Sequence, residues 1–179
     1  MRPPIPPAPH PGGCLCGAVR YRIEMQPMAV NACHCTDCKR SSGAPFAVFL
    51  HVARDRLVVE RPLVEPPPVD PPPLNAPPLN GGDLIRFRKT ADSGREIDIA
   101  RCARCGTRVW HEPLAAPQLV FVAAGTLDDP SWVVATSHIW TSRMAADVVA
   151  APDALIFEEA PSDRQAIWDR FSELYPGLA

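Results

Sequence analysis

No stretch of this 179-residue sequence is apolar for long enough to cross a bilayer. The opening segment "MRPPIPPAPHPGG" likewise has no apolar run of the kind a secretory leader needs. A cytoplasmic protein without a membrane partner is expected. Charge of one sign is also lacking: 18 Lys+Arg stand against 20 Asp+Glu, for a formal net charge of -2, so no global field draws the chain to a phosphate backbone. Nucleic acid is not expected as a partner. Helical periodicity is scarce until the carboxyl end, and no internal repeat runs through the whole chain.

What the sequence has in excess is proline and cysteine, 23 and 7 residues. A reducing compartment keeps thiols free, which makes clustered cysteines better suited to metal than to disulfides. An odd total also argues against complete internal pairing. Seven divides as four plus three, the ligand numbers of a closed structural zinc and an open catalytic zinc.

Short alternating or apolar segments separated by turn residues mark strands: "AVRYRI", "FAVFLHV", "RLVVE", "LIRFR", "EIDIA", "TRVWHE", "QLVFVAA" and "ALIFEE". This is the pattern of a mainly β protein. Residues 1–11 are rich in proline and are expected to be extended or disordered, with folding beginning at Gly12. A β domain is expected over 12–160. It is interrupted by a proline-rich insertion at 62–82, whose "PLVEPPPVDPPPLNAPP" has too many prolines for a sheet interior and reads as an insertion in a hairpin loop. A C-terminal helix over 161–179 should pack on the domain: Ser162 and Gln165 fit a capping box, and Ile167, Trp168, Phe171, Leu174 and Tyr175 form one stripe. Pro176 and Gly177 stop it.

The cysteines fall into three groups. "CLCG" at Cys14–Gly17 and "CARCG" at Cys102–Gly106 both place a glycine directly after the second cysteine, where a metal-binding turn needs permissive backbone. They read as two halves of one site. The third group, "CHCTDC", offers Cys33, Cys35 and Cys38 with no fourth cysteine left, which leaves an open coordination position. In an extended segment Cys33 and Cys35 point to one side and His34 to the other, so His34 reads as a surface or packing residue. Lys39 and Arg40 supply positive charge that favours thiolates and suits an anionic substrate, or simply form a solvated basic turn. Asp37 is near but reads equally as a cap of the turn that holds Cys38. Spacing leaves the partition open, since Cys35 and Cys38 could instead join Cys102 and Cys105. Thiolate ligands favour zinc, with iron–sulfur clusters the other choice.

"GGCLCGAVRY", "CHCTDCKRSSGAPF", "CARCGT" and "GTLDDP", in this order, resemble the glutathione-dependent formaldehyde-activating enzymes, a family that includes the centromere-protein-V-like proteins. The resemblance covers roughly Gly12 to His138. It implies an Mss4-like fold of small zinc-pinned β-sheets. It also implies two zincs per chain: a structural one on Cys14, Cys16, Cys102 and Cys105, and a second at a reactive site on Cys33, Cys35 and Cys38. The activity implied is that of a carbon–sulfur lyase, forming or cleaving S-hydroxymethylglutathione from glutathione, or another small thiol, and formaldehyde. The alternative is a non-catalytic interaction module with two structural zincs. Arg101 departs from the pattern where members often carry an aromatic residue, and the tryptophan common after the "HI" region finds no counterpart near "SRMAADVV". Substrate contacts and a general base stay unassigned.

Overall fold

A computed structural model describes residues 2–60 and 84–178. Among these, eleven strands form two sheets: β1 His10–Gly13, β2 Arg20–Ile23, β3 Ala29–Cys33, β4 Ala47–Ala53, β5 Leu57–Glu60, β6 Leu84–Thr90, β7 Glu96–Cys102, β8 Arg108–Pro113, β9 Leu119–Ala123, β10 Ser137–Ile139 and β11 Leu155–Ile156. Two α-helices accompany them, α1 Thr36–Ser42 and α2 Gln165–Leu174. The small sheet has the order β1-β2-β5, and the large one β11-β10-β3-β4-β9-β8-β7-β6. The chain is thus mainly β with a C-terminal helix.

Cross-strand register explains how the large sheet serves two purposes. Val30, Leu50, Val122, Trp110 and Ala100 are successive partners across β3, β4, β9, β8 and β7, and all are buried in the main core. The small sheet covers this back face, and the Tyr21 and Trp110 rings meet edge to face at 6.0 Å. One residue along, the row Ala29, His51, Phe121, His111 and Ile99 faces the other way, because strand side chains alternate. That front face carries imidazoles where the back carries aliphatic groups.

A β-bulge modifies the alternation in β8. Ala100 pairs with Trp110 but Arg101 pairs with Arg108, so the register shifts across Val109. Val109 and Trp110 both join the core, which leaves Arg108 and His111 on the front face together. Both reach the Phe49 ring, the guanidinium at 4.9 Å and the imidazole at 4.6 Å.

Two expectations need correction. The N-terminal segment packs on the fold: Ile5 and His10 are buried, Arg2 forms an ion pair with Asp153 at 2.7 Å, and Pro11 lies in β1, an edge strand where a missing N–H is tolerated. Proline excludes ladders and helices but not the burial of an extended chain. The insertion at 62–82 lies outside the described residues; the strands that flank it, β5 and β6, belong to different sheets. At the carboxyl end the capping differs, because the N–H of Gln165 donates to Asp163 Oδ1 at 3.1 Å and the Ser162 carbonyl accepts from Arg95. Ile167 and Phe171 of α2 are buried as the stripe implies.

Candidate functional site

Two groups of cysteine sulfurs lie within 4.8 Å of one another, Cys14 with Cys16, Cys102 and Cys105, and Cys33 with Cys35 and Cys38. The quartet joins the turn between β1 and β2 to the turn between β7 and β8. Both turns need the glycine that follows: Gly17 has φ +79° and Gly106 has φ +72°, a region costly for side chains. Their N–H groups close the turns on the Cys14 and Cys102 carbonyls at 3.1 and 3.0 Å. Cys14 and Cys16 Sγ are 3.5 Å apart, and Cys16 and Cys102 Sγ 3.7 Å. A tetrahedral ion with about 2.3 Å metal–sulfur bonds requires sulfurs about 3.8 Å apart. The quartet therefore fits a zinc-sized ion. Burial pushes the Cys102 thiol up. Burial acts the same way on Cys105, but hydrogen bonds from Thr107 and the backbone outweigh it and bring that thiol down to about 6.

The trio is built differently. Cys33 ends β3, Cys35 caps α1 by accepting the Cys38 N–H at 3.4 Å, and Cys38 lies in the helix, which Gly43 ends in a left-handed turn. Hydrogen bonds from the Cys33 and Cys38 thiols lower Cys35 to about 2, and the same bond with Cys35 raises Cys33. Three soft donors converging on one point also suit a thiophilic ion. His34 stands apart from the sulfurs: its ring lies tilted against Phe46 at 5.3 Å and stacks on His138, whose Nδ1 is 2.9 Å from its Nε2.

The cations at the trio differ from those the local sequence offered. Arg40 is exposed, and Lys39 Nζ donates to the Arg143 carbonyl. Positive charge comes instead from Arg108, whose Nη1 donates to Ser41 Oγ of α1 at 2.6 Å. Burial lowers its pKa, with the Cys38 thiol opposing. Asp37 is held by Lys89 of β6 at 2.5 Å and is not the cap. Trp140, next after "HI", packs on the trio at 7% exposure. Among the described residues it is the one non-glycine with positive φ, +60°, a strained setting for a bulky side chain.

A cleft of ≈ 160 Å³ opens on the front face, with the three sulfurs in its lining. Its exposed wall is mostly apolar, from Phe49, Phe121, Ile99 and Ile139, with polar and charged side chains such as His51, His111, Glu96 and Arg164 set among them. His51 is fully committed: its Nδ1 accepts from the Trp168 indole at 3.2 Å and its Nε2 lies 3.0 Å from Asn31 Oδ1. Arg164 lies over the Phe121 ring at 5.3 Å, and Arg95 lines the same cleft. Neither has a carboxylate partner within ion-pair distance among the described residues. Burial lowers the pKa of Arg164, and Arg95 lowers it further. Only long-range register unites these groups, so sequence reasoning missed His51, His111, Arg95, Arg108 and Arg164. Alternation in "FAVFLHV" was the one available signal, for His51.

A β-sheet scaffold with a half-buried cysteine quartet behind the sheet and a cysteine trio lining a cleft in front defines the class, a protein with two cysteine clusters that could each hold a metal ion. The family model described as "Glutathione-dependent formaldehyde-activating enzyme" matches residues 9–64 and 76–143. The chain belongs to that family. A Halomonas elongata protein that carries the family name provisionally is 27% identical over 121 residues, 65% of this chain and 64% of that protein. The match therefore spans less than two thirds of that relative's length. A Rhodobacter sphaeroides protein of known crystal structure is 19% identical, with a TM-score of 0.46 over 66% of this chain and 87% of its own. Among the described residues no helix is long and apolar enough to cross a membrane.

Proposed function

We propose that the chain is a zinc-dependent enzyme of carbon–sulfur lyase type, which joins a small thiol such as glutathione to formaldehyde or cleaves the S-hydroxymethyl adduct. In the forward direction the S–C bond forms, the carbonyl π bond opens, and the thiol proton ends on the new hydroxyl oxygen. One observation carries this reading: the trio lines a cleft, while the quartet is spent on joining two turns. Cys14, Cys16, Cys102 and Cys105 would hold a structural zinc, and Cys33, Cys35 and Cys38 a second one. Zinc bound by three thiolates supplies Lewis-acid activation of a thiol or a carbonyl oxygen. The cysteines act as ligands and not as nucleophiles.

The remaining groups bind and orient. Arg164 and Arg95 offer two guanidinium groups to a carboxylate, which favours an anionic thiol over a neutral one. Phe49, Phe121 and Trp140 exclude water from the reacting end, which strengthens each charge interaction there. The test is metal analysis together with turnover. Two zinc equivalents, with a cobalt-substituted trio whose spectrum changes on adding glutathione, support the enzyme. Adduct formation should then exceed the uncatalysed rate near pH 6, where a free thiol of pKa about 8.5 is little ionised. A second metal indifferent to thiols, with no rate enhancement, would instead favour an interaction module.

A further inference from the structure

We propose that His111 is the proton-transfer residue of the cleft, taking the thiol proton as the carbon–sulfur bond forms and handing it to the adduct's oxygen. This rests on the reaction proposed above. His111 is 6% exposed, and its Nε2 is buried without a hydrogen-bond partner among the described residues. A buried imidazole nitrogen left unpaired is costly, yet this one belongs to a residue lining the cleft that the trio also lines. The β8 bulge sets it there, with its ring against Phe49 at 4.6 Å.

Among the other proton-accepting groups of the cleft, Glu96 is exposed at the start of β7 and the rest are already engaged. The lone pair of His51 is used by Trp168 and its other nitrogen by Asn31. His34 and His138 pair with each other, away from the sulfurs. Asp37 is tied to Lys89. Burial, then Arg108 and Arg101, lower the His111 pKa to about 3 against the opposing pull of Cys35, so the ring is neutral and holds a proton only in passing on its way to oxygen. An imidazolium formed in that setting gives its proton up readily. Atoms balance, since the proton leaving sulfur is the one that arrives on oxygen, and the imidazole ends as it began.

Positioned proton transfer contributes about 10² to 10⁴ in rate. In zinc-loaded protein, His111→Asn should lower kcat by a factor in that range while KM for glutathione changes by less than about threefold. His111→Ala should fall as far and be partly restored by added imidazole, which fits the space left behind. A purely structural residue would show no such rescue. A second readout does not depend on turnover: in protein labelled with 15N-histidine, the His111 Nε2 signal should move on adding glutathione, as the nitrogen gains a donor. Wild-type kcat in both variants, or loss without rescue alongside weakened glutathione binding, would overturn the inference. An Nε2 signal indifferent to glutathione would overturn it as well. If the wild-type chain itself gives no acceleration, the proposed reaction fails, and the Nε2 signal alone then decides whether His111 meets the thiol.

Discussion

Cys102→Ser should cripple folding, whereas Cys35→Ser should spare it. Cys102 is fully buried in the core, and its sulfur lies 3.7 Å from Cys16. A metal shared by Cys14 and Cys102, as proposed above, would cross-link residues far apart in sequence and remove loop-closure entropy from the unfolded chain worth about 4 to 5 kcal/mol. That is a lower bound, because zinc bound by thiolates contributes on the order of 10 kcal/mol in small zinc domains. For a domain of this size the lower bound alone corresponds to roughly 8 to 20 °C in Tm. Net stabilities are about 5 to 15 kcal/mol, so much of the Cys102→Ser protein should be insoluble. Cys35 differs in kind. It is the N-cap of α1, and serine is among the best capping residues, so Cys35→Ser keeps the cap and removes only one sulfur of the trio. The assay is thermal unfolding followed by circular dichroism, with zinc counted in the same samples. A Cys102→Ser protein melting within about 3 °C of wild type, beside a Cys35→Ser protein that unfolds, would refute the reasoning.

Trp110→Ala should lower stability by about 3 to 5 kcal/mol, measured by urea unfolding, because the ring is 2% exposed and packed on Tyr21. Glu112 lies at about 2, well below its usual 4.5; burial opposes the shift, and Arg86, Trp110 and Arg54 outweigh it by donating to the carboxylate. Its contribution is therefore present above pH 4.5 and lost as pH falls toward 2, and Glu112→Gln should flatten the stability profile across that window in denaturant titrations at fixed pH. Arg164→Gln should raise KM for glutathione about tenfold and leave KM for 2-mercaptoethanol, which has no carboxylate, unchanged in steady-state assays. Equal effects on both thiols would remove the carboxylate role.

The elements legible in the sequence are those whose signal is local. β2, β4 and β6 to β9 announce themselves by alternation or by apolar runs, and the stripe of α2 by its period. The glycines after Cys16 and Cys105 announce their turns, and the three cysteine groups announce two sites. β3 is hidden because "AVNAC" is buried on both faces and does not alternate. β10 is hidden because its three residues pair in parallel with β3, more than a hundred positions away. The front of the cleft was illegible for a related reason. Arg108 and His111 share a face only through the bulge, and strict alternation of "TRVWHE" puts them on opposite sides.

Arg101 shows why the two cysteine sites are parts of one device. It directly precedes Cys102 on β7, and alternation sends the thiol back into the core while the guanidinium goes forward. There its Nη1 donates to the Gly106 carbonyl at 3.2 Å, inside the quartet's own turn, and its Nη2 donates to the Ser41 carbonyl of α1 at 3.3 Å. The same helix is held a second time, when Arg108 reaches Ser41 Oγ from β8. The two strands that leave the quartet thus each send one arginine to the helix that carries Cys38. A metal held by the quartet would fix the β7–β8 turn and with it where those two arginines emerge in front. An aromatic residue at 101 could not join two carbonyls, so the departure at this position has a use: it ties the quartet's turn to the helix that carries Cys38.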